Sequence, residues 1–142
     1  MEIAAALLCD AATVREGLLH VLGGAITRVW SPGLPAPLGV ALAAVIELAQ
    51  EETAVPHELQ VEVFDPDATL IGMVMGGFQT APNERLEPGE HVLVPVALDL
   101  RMVGTNRFGC HVLRLQLDAG IVKREMSMWL LHTDERDLPG VR

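Results

Sequence analysis

The residues best placed for chemistry are two aspartates that flank a proline, in Asp65-Pro66-Asp67, between two apolar runs. Loop carboxylates could supply part of the shell of about six to eight oxygens that calcium prefers. Possible third ligands are Asp99, Asp118 and Asp134. The calcium-loop pattern is incomplete, because its glycine and its closing glutamate are missing. Aspartate and proline are also standard turn residues, so we interpret the segment as a turn, with Asp65 and Asp67 as the candidates for a metal site.

Other residues with catalytic potential lack the spacing that catalysis needs. The histidines show no His-x-x-x-His pair and the cysteines no Cys-x-x-Cys pair, so zinc would need a site assembled across strands. His111 follows Cys110, but neighbours on a strand point to opposite faces and cannot readily share a metal or a proton. Neither Ser31 nor Ser127 lies in a Gly-x-Ser-x-Gly elbow. The sequence therefore favours a protein that is not an enzyme and that binds no cofactor.

Composition narrows the possible partners. The chain of 142 residues suits one domain, and its net charge of −9 disfavours binding to nucleic acid. No apolar run approaches the roughly 20 residues of a membrane span, so no membrane contact is expected. The first residues carry Glu2 where a signal peptide needs positive charge. We therefore expect a cytoplasmic protein in which Cys9 and Cys110 are reduced and buried, although the sequence does not give their separation.

Alternating hydrophobicity predicts strands throughout the second half. The pattern has a period of two in residues 58–64, 91–100 and 111–131, which is typical of strands with one buried face. Pro95 cannot donate to a ladder, so its strand is expected at an edge or at a bulge. In the last strand, Met126, Met128 and Leu130 share one face, which places Trp129 on the other.

The first half is less regular. Residues 38–50 fit a strand or a helix, whereas the preceding segment is interpreted as two strands that meet at Gly17. Turn residues recur between short apolar segments, and this spacing is typical of a sandwich. We predict an all-β fold with little helix, an antiparallel β-sandwich of Ig-like or Greek-key type. It occupies residues 1–133, and a charged tail follows at 134–142.

Several short motifs resemble an uncharacterised actinobacterial family of domains of unknown function. They are Cys9-Asp10, Arg15-Glu16-Gly17, Leu22-Gly23-Gly24, Thr27-Arg28 and, further on, Val63 to Asp67. The resemblance covers the first half of the chain well and the rest loosely. It implies a small β-sandwich and supplies no activity.

Three functional hypotheses follow. The first is a non-catalytic sandwich that binds protein, as a homodimer or with a partner, through Trp129, Met126 and Met128. Half of the residues are apolar, and the excess apolar surface of such a chain must be covered, which supports this hypothesis. The second is a metal-dependent module, binding calcium or zinc, or a small hydrolase, using Asp65 and Asp67. The third is a binder of an apolar small molecule between the sheets. The strand from Ile121 to His132 is the predicted edge for association.

Overall fold

The computed structural model describes residues 1–82 and 85–136, and within them nearly all regular structure is strand. The strands are β1 (Glu2–Arg15), β2 (Leu18–Gly24), β3 (Arg28–Ser31), β4 (Ala36–Pro37), β5 (Ala41–Leu48), β6 (His57–Phe64), β7 (Leu70–Phe78), β8 (Val92–Asp99), β9 (Gly104–Thr105), β10 (Gly109–Leu117) and β11 (Val122–His132). Short 3₁₀ turns occupy Gln50–Glu52, Asp118–Gly120 and Thr133–Arg136. The prediction of an all-β fold with little helix is confirmed.

Two main sheets enclose the core. The four-stranded sheet has the order β2-β1-β5-β8, and the five-stranded sheet has the order β3-β11-β10-β6-β7. All pairs within them are antiparallel except β3 with β11, which run parallel. Apolar side chains from both sheets form one cluster between them, so burial of this shared face holds the sandwich together.

Strands β6 and β10 follow their sequence pattern residue by residue. Leu113, Leu115 and Leu117 are fully buried, while the residues between them are partly exposed. The same alternation runs along β6, the neighbouring strand in the same sheet. A one-residue slip would turn every core leucine outward, so the burial of one face fixes the register of this pair.

The environment of strand β5 explains why its sequence fits both a strand and a helix. Leu42 and Ile46 enter the main core, whereas Ala41 and Ala43 are buried on the opposite side with Cys9. A strand buried on both faces reads as a continuous apolar run, in which the period of two disappears. Tertiary packing therefore selects the strand.

Turn chemistry sets the first hairpin. Glu16 and Gly17 both have positive φ, which is the geometry of the two-residue turn that matches strand twist. Gly23 also has positive φ, and the side chain of Asp10 fills the space that a Cβ there would need. The prediction that two strands meet at Gly17 is confirmed.

The edges of the sheets differ from expectation at one point. Strand β8, which contains Pro95, lies at an edge as predicted. Strand β11 is an edge only in its first part, because β3 pairs with Trp129 through His132. Of the predicted tail, residues 137–142 lie outside the described residues, and no described helix is long and apolar enough to cross a membrane.

Candidate functional site

Trp129 lies near the end of β11, on the outer face of the five-stranded sheet. Its cross-strand partner on β10 is Cys110, and its partner on β3 is Arg28. Its backbone N–H donates to the carbonyl oxygen of Thr27 at 2.8 Å, which anchors the strand while the indole remains half exposed, at 50%. The position is rigid and the side chain is open, as in the aromatic anchors of protein interfaces.

Further apolar side chains share the face of Trp129. The register places Leu131 beside Trp30, two residues along from Trp129 and Arg28 on the same side of the sheet. Cys110, Trp30 and Leu131 are partly buried. We call the group of Trp30, Cys110, Trp129 and Leu131 the tryptophan patch.

A charged network lies on the same face, nearer its other end. Arg114 donates to Glu125 at 2.9 Å and approaches Glu62 at 3.4 Å. Gln116 donates to Glu62 at 2.6 Å, and the guanidinium of Arg114 stacks over the ring of Phe64. Glu62 and Glu125 are therefore paired within the chain, and they give this face a satisfied polar border.

The two methionines predicted with Trp129 do not belong to this surface. Met128 is fully buried, and Met126 is partly buried against the same core. Alternation along β11 puts both on the inner face, since Trp129 occupies the outer one. The candidate surface therefore excludes Met126 and Met128 and consists of the outward residues of β11 and its neighbours.

The Asp65 and Asp67 carboxylates are engaged in a turn. One oxygen of Asp65 accepts the backbone N–H groups of Asp67 and Thr69, both at 2.9 Å. Asp67 forms an exposed ion pair with Arg107 at 2.9 Å. Ala68 has positive φ, and its N–H donates to the carbonyl oxygen of Asp65. These contacts are those of an Asx-type turn, and no group of three potential metal ligands occurs among the described residues.

A polar group that sequence reasoning missed lies at the opposite end of the sandwich. His57 is only 6% exposed, and its Nδ1 is 2.8 Å from Asp118 Oδ2. Its Nε2 is 2.8 Å from the carbonyl oxygen of Glu52. Both partners are acceptors, so both contacts are hydrogen bonds only when both ring nitrogens carry a proton. We call His57, Asp118 and Glu52 the His57 corner.

The pKa shifts agree with a charged pair in the His57 corner. Burial alone would lower the pKa of His57, but hydrogen bonds to Asp118 and Glu52 and their charges outweigh it and raise that pKa. Burial alone would raise the pKa of Asp118, but hydrogen bonds from His57 and the Glu58 N–H lower it. The imidazole also stacks on Phe78, with ring centroids 5.3 Å apart. The pair joins two 3₁₀ turns to β6, which is a structural role.

The remaining candidates are accounted for by local packing. His111 is fully buried, with Nε2 2.8 Å from the Thr105 hydroxyl and Nδ1 3.0 Å from the Gly109 carbonyl oxygen. Both cysteines are free, Cys9 buried and Cys110 partly buried. Burial, followed by the charge of Asp10, raises the pKa of the Cys9 thiol, which makes it a poor nucleophile.

A second apolar surface lies on the hairpin of β1 and β2. Leu18 and Leu22 are 64% and 70% exposed, and Val14 and Val21 are also exposed. The pairing of β1 with β5 ends at Cys9, so beyond that point β1 is hydrogen-bonded to β2 alone, while Ala12 and Leu19 pack against Ala41 and Ala43. Consecutive apolar residues in "LLHVL" were the sequence signal for this surface, because a strand with one wet face would alternate.

Comparison with known proteins identifies a family. The model of a family of unknown function, DUF6941, matches residues 4–125. The match includes the motifs around Cys9, Gly17 and Gly23 and continues to Glu125 in β11, well beyond the first half of the chain. Comparisons with curated proteins and with solved structures found no match. The chain belongs to the DUF6941 family.

Proposed function

We propose that this member of the DUF6941 family is a non-catalytic β-sandwich that acts by binding protein, either a second copy of itself or another partner. The tryptophan patch is the proposed contact surface. The observation that carries the proposal is the half-exposed indole of Trp129 on a paired, regular strand. A rigid aromatic side chain of this kind loses little conformational entropy when it is covered.

The charge distribution supports protein as the ligand. The chain carries a net charge of −9, which repels phosphate backbones and anionic lipid. Two acidic residues on the same face, Glu62 and Glu125, are paired with Arg114 within the chain. Apolar centres with polar borders are the usual anatomy of protein interfaces.

A cytoplasmic location is part of the proposal. Both Cys9 and Cys110 are free thiols. Small domains in oxidising compartments commonly rely on disulfides, whereas this fold buries one large core between its sheets without a disulfide in its described part.

The alternative of a metal-dependent module or hydrolase has less support. Asp65 accepts two backbone N–H groups and Asp67 pairs with Arg107, so one oxygen of each carboxylate is already engaged within the chain. No specific observation favours this alternative, nor that of an apolar ligand between the sheets.

Substitution of Trp129 tests the proposal. Trp129→Ala should weaken self-association or partner binding by about 2 kcal/mol or more, as for buried aromatic anchors. Ile121→Ala is the matched control, because Ile121 is 81% exposed, precedes the same strand and lies at its other end. Sedimentation of the three proteins at micromolar concentration measures the effect. A wild-type chain that stays monomeric and captures no protein would remove the support for an interaction role.

A further inference from the structure

Arg28 is a cation on the same face as the tryptophan patch. It is the cross-strand partner of Trp129, and it begins the edge strand β3, whose next residue, Val29, packs against the core. Alternation along the strand therefore turns Arg28 outward, together with Trp30. The side chain of Arg28 is exposed. An exposed guanidinium thus lies on the strand next to the half-exposed indole of Trp129.

The fold leaves Arg28 without a counter-ion. The chain has 19 acidic and 10 basic side chains, and other exposed arginines pair with carboxylates, Arg101 with Asp99 and Arg107 with Asp67. Arg28 forms no ion pair within residues 1–82 and 85–136. Although acidic residues are in excess, this guanidinium therefore remains available to a partner.

The charges around the patch do not cancel that of Arg28. Along β11 the nearest acidic residue before the patch is Glu125, which pairs with Arg114, and Asp134 after it contacts His132. The distance from Glu125 to Trp129 along the strand is about 13 Å, beyond the screening length of about 8 Å at physiological salt. The net charge of −9 therefore acts weakly at the patch, where Arg28 determines the local charge.

The size of the patch fits a short segment better than a folded surface. It spans β3, β11 and β10, about 10 Å across, and about 20 Å of strand between Glu125 and Leu131. This area is on the order of 200 Å², about a quarter of the roughly 800 Å² that each partner contributes to a standard interface between folded proteins. A second copy of the chain would therefore need contacts outside the patch, whereas a segment of a few residues covers it.

The guanidinium and the indoles together specify the chemistry of that segment. A guanidinium donates two parallel hydrogen bonds to a carboxylate. Phosphorylated segments are usually bound by clusters of arginines, whereas the register places one arginine, Arg28, beside Trp129. An apolar side chain next to the carboxylate would cover Trp129 and release water from it.

We infer that the tryptophan patch binds a short acidic segment of another protein. A carboxylate of the segment pairs with Arg28, and a neighbouring apolar side chain covers Trp129. Arg28 then determines which segments bind, while the indole supplies the apolar contact. The inference rests on the proposed function and names the partner of the same surface.

Charge reversal at two exposed arginines tests the inference. Arg15 is also exposed and without an ion pair in the described chain, but it lies on β1 in the other sheet. Arg28→Glu and Arg15→Glu therefore change the net charge equally and differ in place. Wild type and both variants, shown to be folded by circular dichroism, are used to select binders from a library of random short peptides displayed on phage. Wild type and Arg15→Glu should enrich peptides with Asp or Glu next to an aromatic or aliphatic residue.

An enriched peptide is then synthesised in two forms, one with its acidic residue and one with lysine in its place. Arg28→Glu should weaken binding of the acidic form at least about tenfold, because a paired charge is replaced by a like charge. The lysine form should bind Arg28→Glu more tightly than it binds wild type. Arg15→Glu should leave both affinities at their wild-type values. Isothermal titration calorimetry measures each combination.

The results separate this inference from the proposed function. If wild type enriches no peptide, or if Arg28→Glu binds the acidic form as tightly as Arg15→Glu does, the inference is overturned. Peptides that need Trp129 but show no preference for an acidic residue would leave the proposed function standing and the inference wrong. Acidic peptides that bind Trp129→Ala as tightly as wild type would refute both. A wild-type dimer that Trp129→Ala dissociates and that acidic peptides do not disrupt would identify a second copy as the occupant, against the inference.

Discussion

The two ends of the five-stranded sheet differ in whether their most distinctive side chain is covered by the chain itself. At the end formed by the start of β6, His57 is buried and both of its ring nitrogens contact acceptors from the same chain. At the other end, the indole of Trp129 is half exposed, and the described chain leaves that half uncovered. The titratable residues are thus internally satisfied, while the apolar ones are left open.

This difference indicates that the residues available for binding are the exposed apolar ones and not the polar ones of reactive type. A polar group whose partners lie within its own chain is part of the fold. An apolar side chain that a fold holds rigid and uncovered gains free energy when another surface covers it. Substitutions at the two ends should therefore have different effects. Those at the His57 corner should change stability, and those at the tryptophan patch should change association.

The largest expected effect on stability is at the His57 corner. His57→Ala should lower the free energy of unfolding by about 3 kcal/mol, because it leaves Asp118 and the Glu52 carbonyl without their donor. His91→Ala removes a more exposed histidine that pairs with Glu47, and should cost at most about 1 kcal/mol. Urea unfolding measures both changes. Equal costs for the two variants would show that the buried contacts of His57 do not distinguish it from a surface pair.

The contribution of the His57 corner should also depend on pH. The pKa of His57 is raised, so its contribution is full below the ordinary histidine value of about 6.5 and is lost as pH rises through the folded value. The pKa of Asp118 is lowered, so its contribution is full above about 3.9 and is lost as pH falls through the folded value. Both are complete between about pH 4 and 6.5.

Unfolding at two pH values tests this dependence. The difference in unfolding free energy between wild type and His57→Gln should be larger at about pH 5.5 than at about pH 8.5, because only the protonated ring donates to both acceptors. Comparison with the variant cancels the titration of the other histidines. A difference that grows with pH would mean that the folded protein holds His57 neutral.

The parts of the fold that local pattern determines were predictable. Leu113, Leu115 and Leu117 alternate with polar residues, so their strand and its buried face follow from the sequence. The same parity placed Trp129 outward once Met128 was taken as core. Strand β5 was not decided, since burial on both faces removes the alternation.

The features that depend on distant contacts were not predictable. His57 and Asp118 are 61 residues apart in the chain, and neither has a local signal for the other. The parallel pairing of β3 with β11 covers four of the eleven residues of a strand that was predicted to be an edge. The exposure of Leu22 follows from the point at which β5 begins, opposite Cys9, and no feature of β2 itself encodes that point.

The smallest expected effects belong to the turn at Asp65. Asp65→Ala should cost about 1 kcal/mol, because two backbone N–H groups lose their acceptor but remain accessible to water. Asp67→Ala should cost at most about 0.5 kcal/mol, since its ion pair with Arg107 is exposed. The order of the two losses is the sharper test, because a cation site would need both carboxylates. Calcium should leave the melting temperature of wild type unchanged, and a rise that the double variant abolishes would establish a metal site at this turn.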